Sequence, residues 1–378
     1  MLIGFKTKYA CGCDLHSQKL TVDIIDKKGN QLLHRTIDST ADAFEYTIEK
    51  YSKSLTVCVE STFNWYWLND FCLNRKIPFF LGHALYIKKS RPGKNKNDDI
   101  DAKHISSLIK DGRFPAAYNY PPVMRATRDL LRRRMHFVNK RAGAFAHIQN
   151  TFYQHGMLEP VGNVLQRKML RRSILSRFED VNVSMSLQAD LDLIDSLDPI
   201  IKKLETHITK QAIIHNKKHF ELLQTMIGLG PISALTILYE IHVLDRFPSV
   251  QDFSSYSRTV KAQCNSAGKT VGKGDDKIGN PTLKWAFCEV ANHLAYYCPV
   301  VKQWYEKMKR RKGYRCARAI LIHKVSMAVY YMLKKETPFD EYKFISAVKP
   351  LCAATPSTNW MEASGQLSKP SDMIGSRA

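Results

Sequence analysis

The chain has 378 residues, of which 57 are Lys or Arg and 35 are Asp or Glu, so its formal net charge is +22. Hydrophobic residues make up 44% and aromatic residues 10%, which excludes a mainly disordered chain. We expect neither a membrane span nor secretion, because no uncharged apolar run reaches ~18 residues and residues 1–10 lack a signal-peptide core. The nine cysteines form no CxxC pair, which favours a reduced cytoplasmic protein over a disulfide framework or zinc site.

The first 118 residues predict an α/β domain, because short β-prone runs alternate with amphipathic stretches. In chain order, we expect strands at 9–15, 19–25 and after residue 30, a helix from Thr40 to about 53, a strand at 54–59, a helix at 64–75, a strand at 78–81, a basic loop and a helix from about 97 to 110. Three meandering strands followed by parallel strand–helix units is the order of ribonuclease-H-like (RNase H-like) folds. Periodicity alone supports only the α/β class.

From Val123 onward the hydrophobic period becomes helical. Residues 119–218 repeat apolar side chains mostly three and four apart, which predicts a coiled-coil-like connection that Pro199 kinks or interrupts. It would form a helical hairpin or join a dimer. Residues 219–350 predict a mainly α C-terminal domain, in which Asn280 caps a helix. Residues 351–378 are rich in Ser, Pro and Gly and predict a disordered tail.

Positive charge is concentrated in three segments. Residues 83–97 hold five Lys or Arg and no acid, residues 120–141 seven against one, and residues 301–318 eight against one. Such clusters are typical of nucleic-acid binding, although any single one is also typical of a solvated helix face. The basic residues that we expect to contact phosphates are Lys88, Lys89, Arg91, Lys94, Lys96, Arg132, Arg133, Arg134, Lys309, Arg310, Arg311 and Lys312.

A Gly-x-Gly turn joins two apolar stretches of the C-terminal domain. Gly228 and Gly230, followed by Pro231, resemble the turn of a helix-hairpin-helix element, whose backbone N–H groups face a phosphate. Tight turns often have the same pattern, so both interpretations are open.

Four carboxylates are candidates for metal binding. Asp14 and Glu60 each end a predicted strand, and they project from one edge of the sheet if those strands are neighbours. Asp98 and Asp101 are three residues apart on a predicted helix and share a face, whereas Asp99 faces elsewhere. Together the four acids would hold two Mg²⁺ ions, or Mn²⁺ as a substitute, in the paired arrangement that catalyses phosphoryl transfer. Each acid alone is equally typical of a solvated strand end or a helix cap.

The motifs around these acids resemble those of a known family. They are Asp14 after the first strand, VCVEST at 57–62, GHALYIK at 82–88, KNDDIDA at 96–102, MRATRDLLRRR at 124–134, IGLG at 227–230, SAGK at 266–269 and KIGNPTLKWA at 277–286. In order and approximate spacing they look like the DEDD transposases of the insertion-sequence one-hundred-and-ten type, relatives of the Piv invertases. The resemblance covers residues 9–340. The chain has Phe63-Asn64-Trp65 where many members have a glycine, a departure that leaves the acids untouched.

The resemblance implies a RuvC-like N-terminal domain and a C-terminal transposase domain with a serine nucleophile, whose position Ser266 occupies. It also implies a guide (bridge) RNA that pairs with donor and target DNA. The expected assembly is a homodimer that forms a tetramer, in the bacterial or archaeal cytoplasm at the nucleoid.

The residues around Ser266 suit a nucleophile. Neighbouring glycines permit close backbone approach, and Lys269 and Lys273 supply positive charge for a scissile phosphate. Loops of Ser, Gly and Lys are also commonly flexible turns. The alternative nucleophiles nearby are Ser255, Ser257 and Cys264.

Two other functions stay open. A RuvC-like junction resolvase would hydrolyse DNA with water, so Ser266 would be dispensable. A basic RNA-binding scaffold without catalysis would tolerate changes to all four carboxylates. The ordered set of acids favours an enzyme, and the C-terminal domain with its serine favours a recombinase over a resolvase.

Overall fold

The N-terminal part of the chain is a mixed sheet with helices on both faces. The computed structural model describes residues 2–91, 98–261, 263–266, 269–273 and 278–346. The first elements are β1 Leu2–Ile3, β2 Tyr9–Leu15, β3 Lys19–Asp26, β4 Gln31–Asp38, α1 Ala41–Ile48, β5 Leu55–Glu60, α2 Tyr66–Asn74, β6 Phe79–Gly82, α3 Ala84–Ser90, α4 Asp98–Lys110 and β7 Phe114–Pro115.

The five-stranded sheet has the order β4-β3-β2-β5-β6. β2, β3 and β4 are antiparallel neighbours, and β5 and β6 add in parallel beside β2. Cys11, Cys13 and Val57 pack with α1 and α2 on one face. Ala10 and Cys58 pack with α3 and α4 on the other. The predicted α/β domain is therefore confirmed, with β2 at the centre of its sheet.

Local signals located most of these elements. The Thr40 side chain accepts a hydrogen bond from the Ala43 N–H at 3.3 Å, which confirms the predicted cap, although α1 ends at Ile48 rather than near residue 53. The expectation of a plain basic loop after β6 was wrong, because α3 lies there. Ile87 is the one buried residue of that helix, whose seven residues are too few to show a helical period in the sequence.

The connection is an antiparallel helical hairpin. Its helices are α5 Pro122–Gln154, α6 Gly162–Gln166 and α7 Val181–Gln224. The predicted interruption at Pro199 was wrong: α7 continues through this residue, and its non-helical residue is Asn216. Leu197 and Ile201 are buried on either side of the proline, and this packing stabilises the helix despite the lost backbone bond.

The C-terminal part is mainly helical, as expected. It comprises α8 Pro231–Ile241, α9 Val250–Tyr256, β8 Gln263–Ser266, β9 Lys269–Lys273, α10 Pro281–Tyr297, α11 Pro299–Lys312, α12 Tyr314–Lys335 and α13 Glu341–Ser346. The Asn280 side chain accepts hydrogen bonds from the first N–H groups of α10, which confirms its predicted cap. The expected tail, 351–378, lies outside the described residues.

Among the described helices, α12 alone has the length and composition to cross a membrane, with a mean hydropathy of 1.2 in its best window. Buried residues make up 44% of that window, and Leu321, Val325 and Val329 pack in the C-terminal core. A core helix has the same composition, so these features do not identify a membrane span.

Seven cysteines of the described residues have free thiols. They are Cys11, Cys13, Cys58, Cys72, Cys288, Cys298 and Cys316.

A buried carboxylate joins the helical hairpin to the C-terminal domain. Glu240 on α8 is 1% exposed. Arg132 donates to it through Nε at 2.6 Å and Nη2 at 3.0 Å, and Arg128 through Nε at 2.9 Å. Asn280 donates to the same carboxylate at 2.8 Å. Burial by itself would raise the Glu240 pKa, but these hydrogen bonds and the two guanidinium charges outweigh it and hold the pKa below its usual value.

We expect Glu240→Gln to lower the free energy of unfolding by about 3 kcal/mol, because it leaves two arginines without their buried counter-charge. A lowered pKa stabilises the fold above the unfolded value of about 4.3 and stops doing so as pH falls through the folded value. The variant's stability should therefore fall less steeply than the wild type's below about pH 4.3 in urea unfolding.

The matched control is Glu159→Gln, which removes an exposed ion pair with Arg177 and should change stability far less. Equal losses for the two variants would contradict a structural role for Glu240.

Candidate functional site

Two of the predicted acids lie side by side at one edge of the sheet. β2 and β5 are parallel neighbours in which Gly12 pairs with Cys58 and Cys13 with Val59, so Asp14 and Glu60 come next on the two strands. Gly12 and Cys58 face α4, and alternation along the strands places both acids on that same face. Asp14 is 7% exposed. The prediction that these strands are neighbours is confirmed.

Helix α4 lies almost against the backbone of β2. A Cβ atom on Gly12 would lie 2.4 Å from the Ala102 carbonyl oxygen and 2.5 Å from the Ser106 nitrogen, so only glycine fits there. This close approach brings the first turn of α4, with Asp98 and Asp101, to the edge that carries Asp14.

His16 lies between two of the acids. Its Nε2 atom is 3.3 Å from the Asp14 Oδ2 atom and 3.3 Å from the Asp98 Oδ1 atom. One potential ligand atom from each of the three residues lies within 4.8 Å of the others. His16 was not among the site residues predicted from the sequence; its position two residues after Asp14 was the available signal.

The pKa of Asp14 is set first by burial and then by the charges around it. Burial raises its pKa most; His16 lowers it, and the negative charges of Asp101 and Asp98 raise it further, with a net upward shift. Asp101 is itself buried and forms an ion pair with Arg91 at 2.9 Å. Three of the four predicted acids are thus within electrostatic reach of one another, and Glu60 ends the adjoining strand.

The donor set fits a hard divalent cation. Carboxylate oxygens are the ligands that Mg²⁺ and Mn²⁺ prefer, and a cation would relieve the repulsion that raises the Asp14 pKa. His16 adds a nitrogen ligand that suits Mn²⁺ better than Mg²⁺.

The serine of the C-terminal domain lies on a two-stranded hairpin. Ser266 is the last residue of β8 and pairs with Lys269, the first residue of β9, while Lys273 ends that strand. The segment that carries the hairpin is held at both ends, since the Asn280 N–H donates to the Tyr256 carbonyl at 2.6 Å.

The alternative nucleophiles differ in access. Ser257 is 0% exposed and lies at the end of α9, so it does not meet a DNA phosphate without rearrangement. Ser255 is exposed. The side chain of Cys264 lies outside the described residues.

Most arginines in the 120–141 cluster have partners inside the chain. Arg132 binds Glu240, and Arg134 binds Glu205 through Nε at 2.9 Å. The expectation that these two contact nucleic acid is not supported, because the structure assigns their charges to intramolecular ion pairs. Arg133 instead lies over the Phe137 ring, 4.7 Å from its centroid.

Four of the other basic candidates have exposed side chains. Lys88, Lys89, Arg310 and Arg311 are exposed. Lys309 pairs with Glu306 at 2.6 Å. Arg91 is turned towards Asp101, and Lys312 is partly buried at the end of α11. Lys94 and Lys96 lie outside the described residues.

The Gly-x-Gly turn packs against a helix. Gly228 has φ +83°, and a Cβ there would lie 2.8 Å from the backbone of His293 on α10. Gly230 is the N-cap of α8, and Pro231 is its first residue, as predicted. Close packing therefore explains Gly228, and phosphate binding at this turn stays a prediction.

Comparisons with known proteins identify two segments. A DEDD transposase model, DEDD_Tnp_IS110, matches residues 11–156. A second model, described as a transposase of the IS116/IS110/IS902 family, matches residues 220–306. The first match contains all four acids, and the second contains Ser266. No curated protein matches the chain.

Proposed function

We propose that this chain, which belongs to the IS110 family of DEDD transposases, is an RNA-guided recombinase that exchanges DNA strands through a covalent phosphoserine intermediate. DNA recombination in transposition is the activity that the family implies, with DNA as the partner. The observation that carries the proposal is the approach of α4 to β2, which brings Asp98 and Asp101 to the sheet edge of Asp14.

The carboxylates would hold two Mg²⁺ ions, with Mn²⁺ as a substitute. Asp14, Glu60, Asp98 and Asp101 are the proposed ligands, and His16 is placed to join them. A bound pair of such ions supplies positive charge to the scissile phosphate and to its attacking and leaving oxygens. The sheet order, with three antiparallel strands followed by two parallel ones, supports an RNase H-like, RuvC-like fold for this domain.

Ser266 would be the nucleophile. Its hydroxyl oxygen forms a bond to phosphorus as the bond from phosphorus to the leaving DNA oxygen breaks. The serine gives up its proton and the leaving oxygen gains one, so the ester conserves the bond energy needed to rejoin strands. The position of Ser266 at a hairpin end, beside Lys269 in the register, supports this assignment.

Exposed basic residues would bind the guide RNA and both DNAs. The candidates that the structure supports best are Lys88, Lys89, Arg133, Arg310 and Arg311. We also propose that the protein assembles from a homodimer to a tetramer in the cytoplasm. Reduced cysteines are consistent with that location.

Replacing any one of the four acids with its amide should lower strand exchange at least ~100-fold, because the change removes a charged metal ligand and keeps the side-chain shape. RNA binding should stay within about 2-fold of the wild type. The four variants are Asp14→Asn, Glu60→Gln, Asp98→Asn and Asp101→Asn. A gel assay of recombined DNA and a filter assay of RNA binding measure the two effects.

The matched control is Asp26→Asn in the exposed β3–β4 turn, which should retain full activity. Normal strand exchange by all four site variants would favour the non-catalytic scaffold.

Ser266→Ala should abolish recombination, and the wild type should form a DNA–protein adduct that survives denaturation. Mass spectrometry after nuclease digestion locates the phosphate. Ser255→Ala is the matched control and should form the adduct normally. A phosphate found on Ser255 or Tyr256 would identify that residue as the nucleophile in place of Ser266. Cleavage without any adduct would favour the hydrolytic resolvase.

Arg310→Gln with Arg311→Gln should weaken RNA binding and reduce the slope of log affinity against log salt by about 1.4–1.8, at ~0.7–0.9 per lost phosphate contact. Lys202→Gln with Lys203→Gln removes the same charge from exposed positions on α7 and should leave the slope unchanged. Identical slopes for both pairs would show that α11 does not contact the RNA.

A further inference from the structure

A second polar cluster lies behind the carboxylate edge. Asp23, on β3, is 1% exposed. Its Oδ1 atom is 3.1 Å from the Nδ1 atom of His34, on β4, and the His34 Nε2 atom is 3.0 Å from the Asp99 Oδ1 atom. The ring therefore connects a buried carboxylate of the sheet to the first turn of α4.

Helix α4 is attached to Asp23 at a second point. The Ser106 hydroxyl donates to the Asp23 Oδ2 atom, and Ser106 is also buried. Asp99 and Ser106 are seven residues apart, which places them two turns apart on one stripe of the helix. Asp23 thus holds α4 directly in its middle and, through His34, at its start.

The first turn of α4 needs such an attachment. Asp98 and Asp101 flank Asp99 and lie near Asp14, so the turn that brings them together gathers negative charge. Repulsion among these carboxylates favours movement of the turn away from the sheet, and the Asp99–His34 contact opposes it together with the contacts of His16 and Arg91. Asp99 was predicted to face away from Asp98 and Asp101, and its contact with His34 agrees with that prediction.

We propose that His34 is a positioning residue for the metal site, holding the first turn of α4 through Asp99 so that Asp98 and Asp101 stay close to Asp14. This inference rests on the proposed function only in taking these acids as metal ligands. His34 itself touches neither metal nor DNA in this role.

Metal binding to the full-length protein tests the proposal directly. We expect His34→Ala to raise the Mn²⁺ concentration for half-saturation, measured from the electron paramagnetic resonance signal of free Mn²⁺, about 10-fold, the low end for outer-shell partners of a metal site. High Mn²⁺ should restore strand exchange. The matched control is His147→Ala, which removes a histidine–aspartate pair between α5 and α7 and should leave Mn²⁺ binding unchanged.

Two conservative variants separate positioning from general stability. His34→Gln places its amide nitrogen near the Nε2 position and keeps the contact with Asp99, whereas His34→Asn keeps only the contact with Asp23. The Gln variant should bind Mn²⁺ more tightly than the Asn variant, and equal or reversed affinities would overturn the proposal. This comparison also decides the question if His34→Ala does not fold.

A double-mutant cycle with Asp99→Ala tests the pathway, since effects through one contact are not additive. The double variant should bind Mn²⁺ about as weakly as His34→Ala. If the losses of Mn²⁺ affinity in the two single variants multiply in the double variant, His34 does not act through Asp99.

Asp14→Asn separates failure of the His34 proposal from failure of the proposed metal site. If it abolishes Mn²⁺ binding and His34→Ala does not weaken it, His34 has no positioning role; if Asp14→Asn has no effect, the metal site itself is wrong.

Discussion

The buried carboxylate of Glu240 is the interaction on which the arrangement of the C-terminal half depends. It binds Arg128 and Arg132 of α5 on one side and Asn280 on the other. A charge at this depth is stable only with such partners, so the helical hairpin and the C-terminal domain are fixed to each other. Asn280 in turn caps α10 and holds the Tyr256 carbonyl at the base of the serine hairpin. The position of the hairpin is therefore linked to α5.

The carboxylate edge depends on a different constraint, which is steric. Gly12 lets α4 approach β2 closely enough for the acids of one helix turn to reach the acid at the end of a strand. Crowding of negative charge is the result, and it adds to burial, the larger cause, in raising the Asp14 pKa. The Asp23–His34–Asp99 contacts oppose that repulsion on the other side of the turn.

The basic residues of the clusters fall into two groups: some form ion pairs inside the chain, and others are exposed at the surface. Arg125, Arg128, Arg132, Arg134 and Arg141 all lie in one cluster, and each pairs with an acid on another element. These pairs hold the N-terminal domain, the hairpin and the C-terminal domain together. Arg310 and Arg311 have exposed side chains at the end of α11, where a solvated cation is available to a phosphate.

The sequence by itself determined the α/β domain, the long helices of the connection, the caps at Thr40 and Asn280, and the family, because these depend on local periodicity, capping chemistry and ordered motifs. It left open whether the long helices pair within the chain or between chains. Only the tertiary structure decided which arginines form ion pairs inside the chain, since their acidic partners lie 55 to 112 residues away along the sequence. It also revealed His16 between two acids, His34 behind them, and a helix that continues through Pro199. The physical reason is that contacts between distant segments follow from packing, which leaves no local pattern in the sequence.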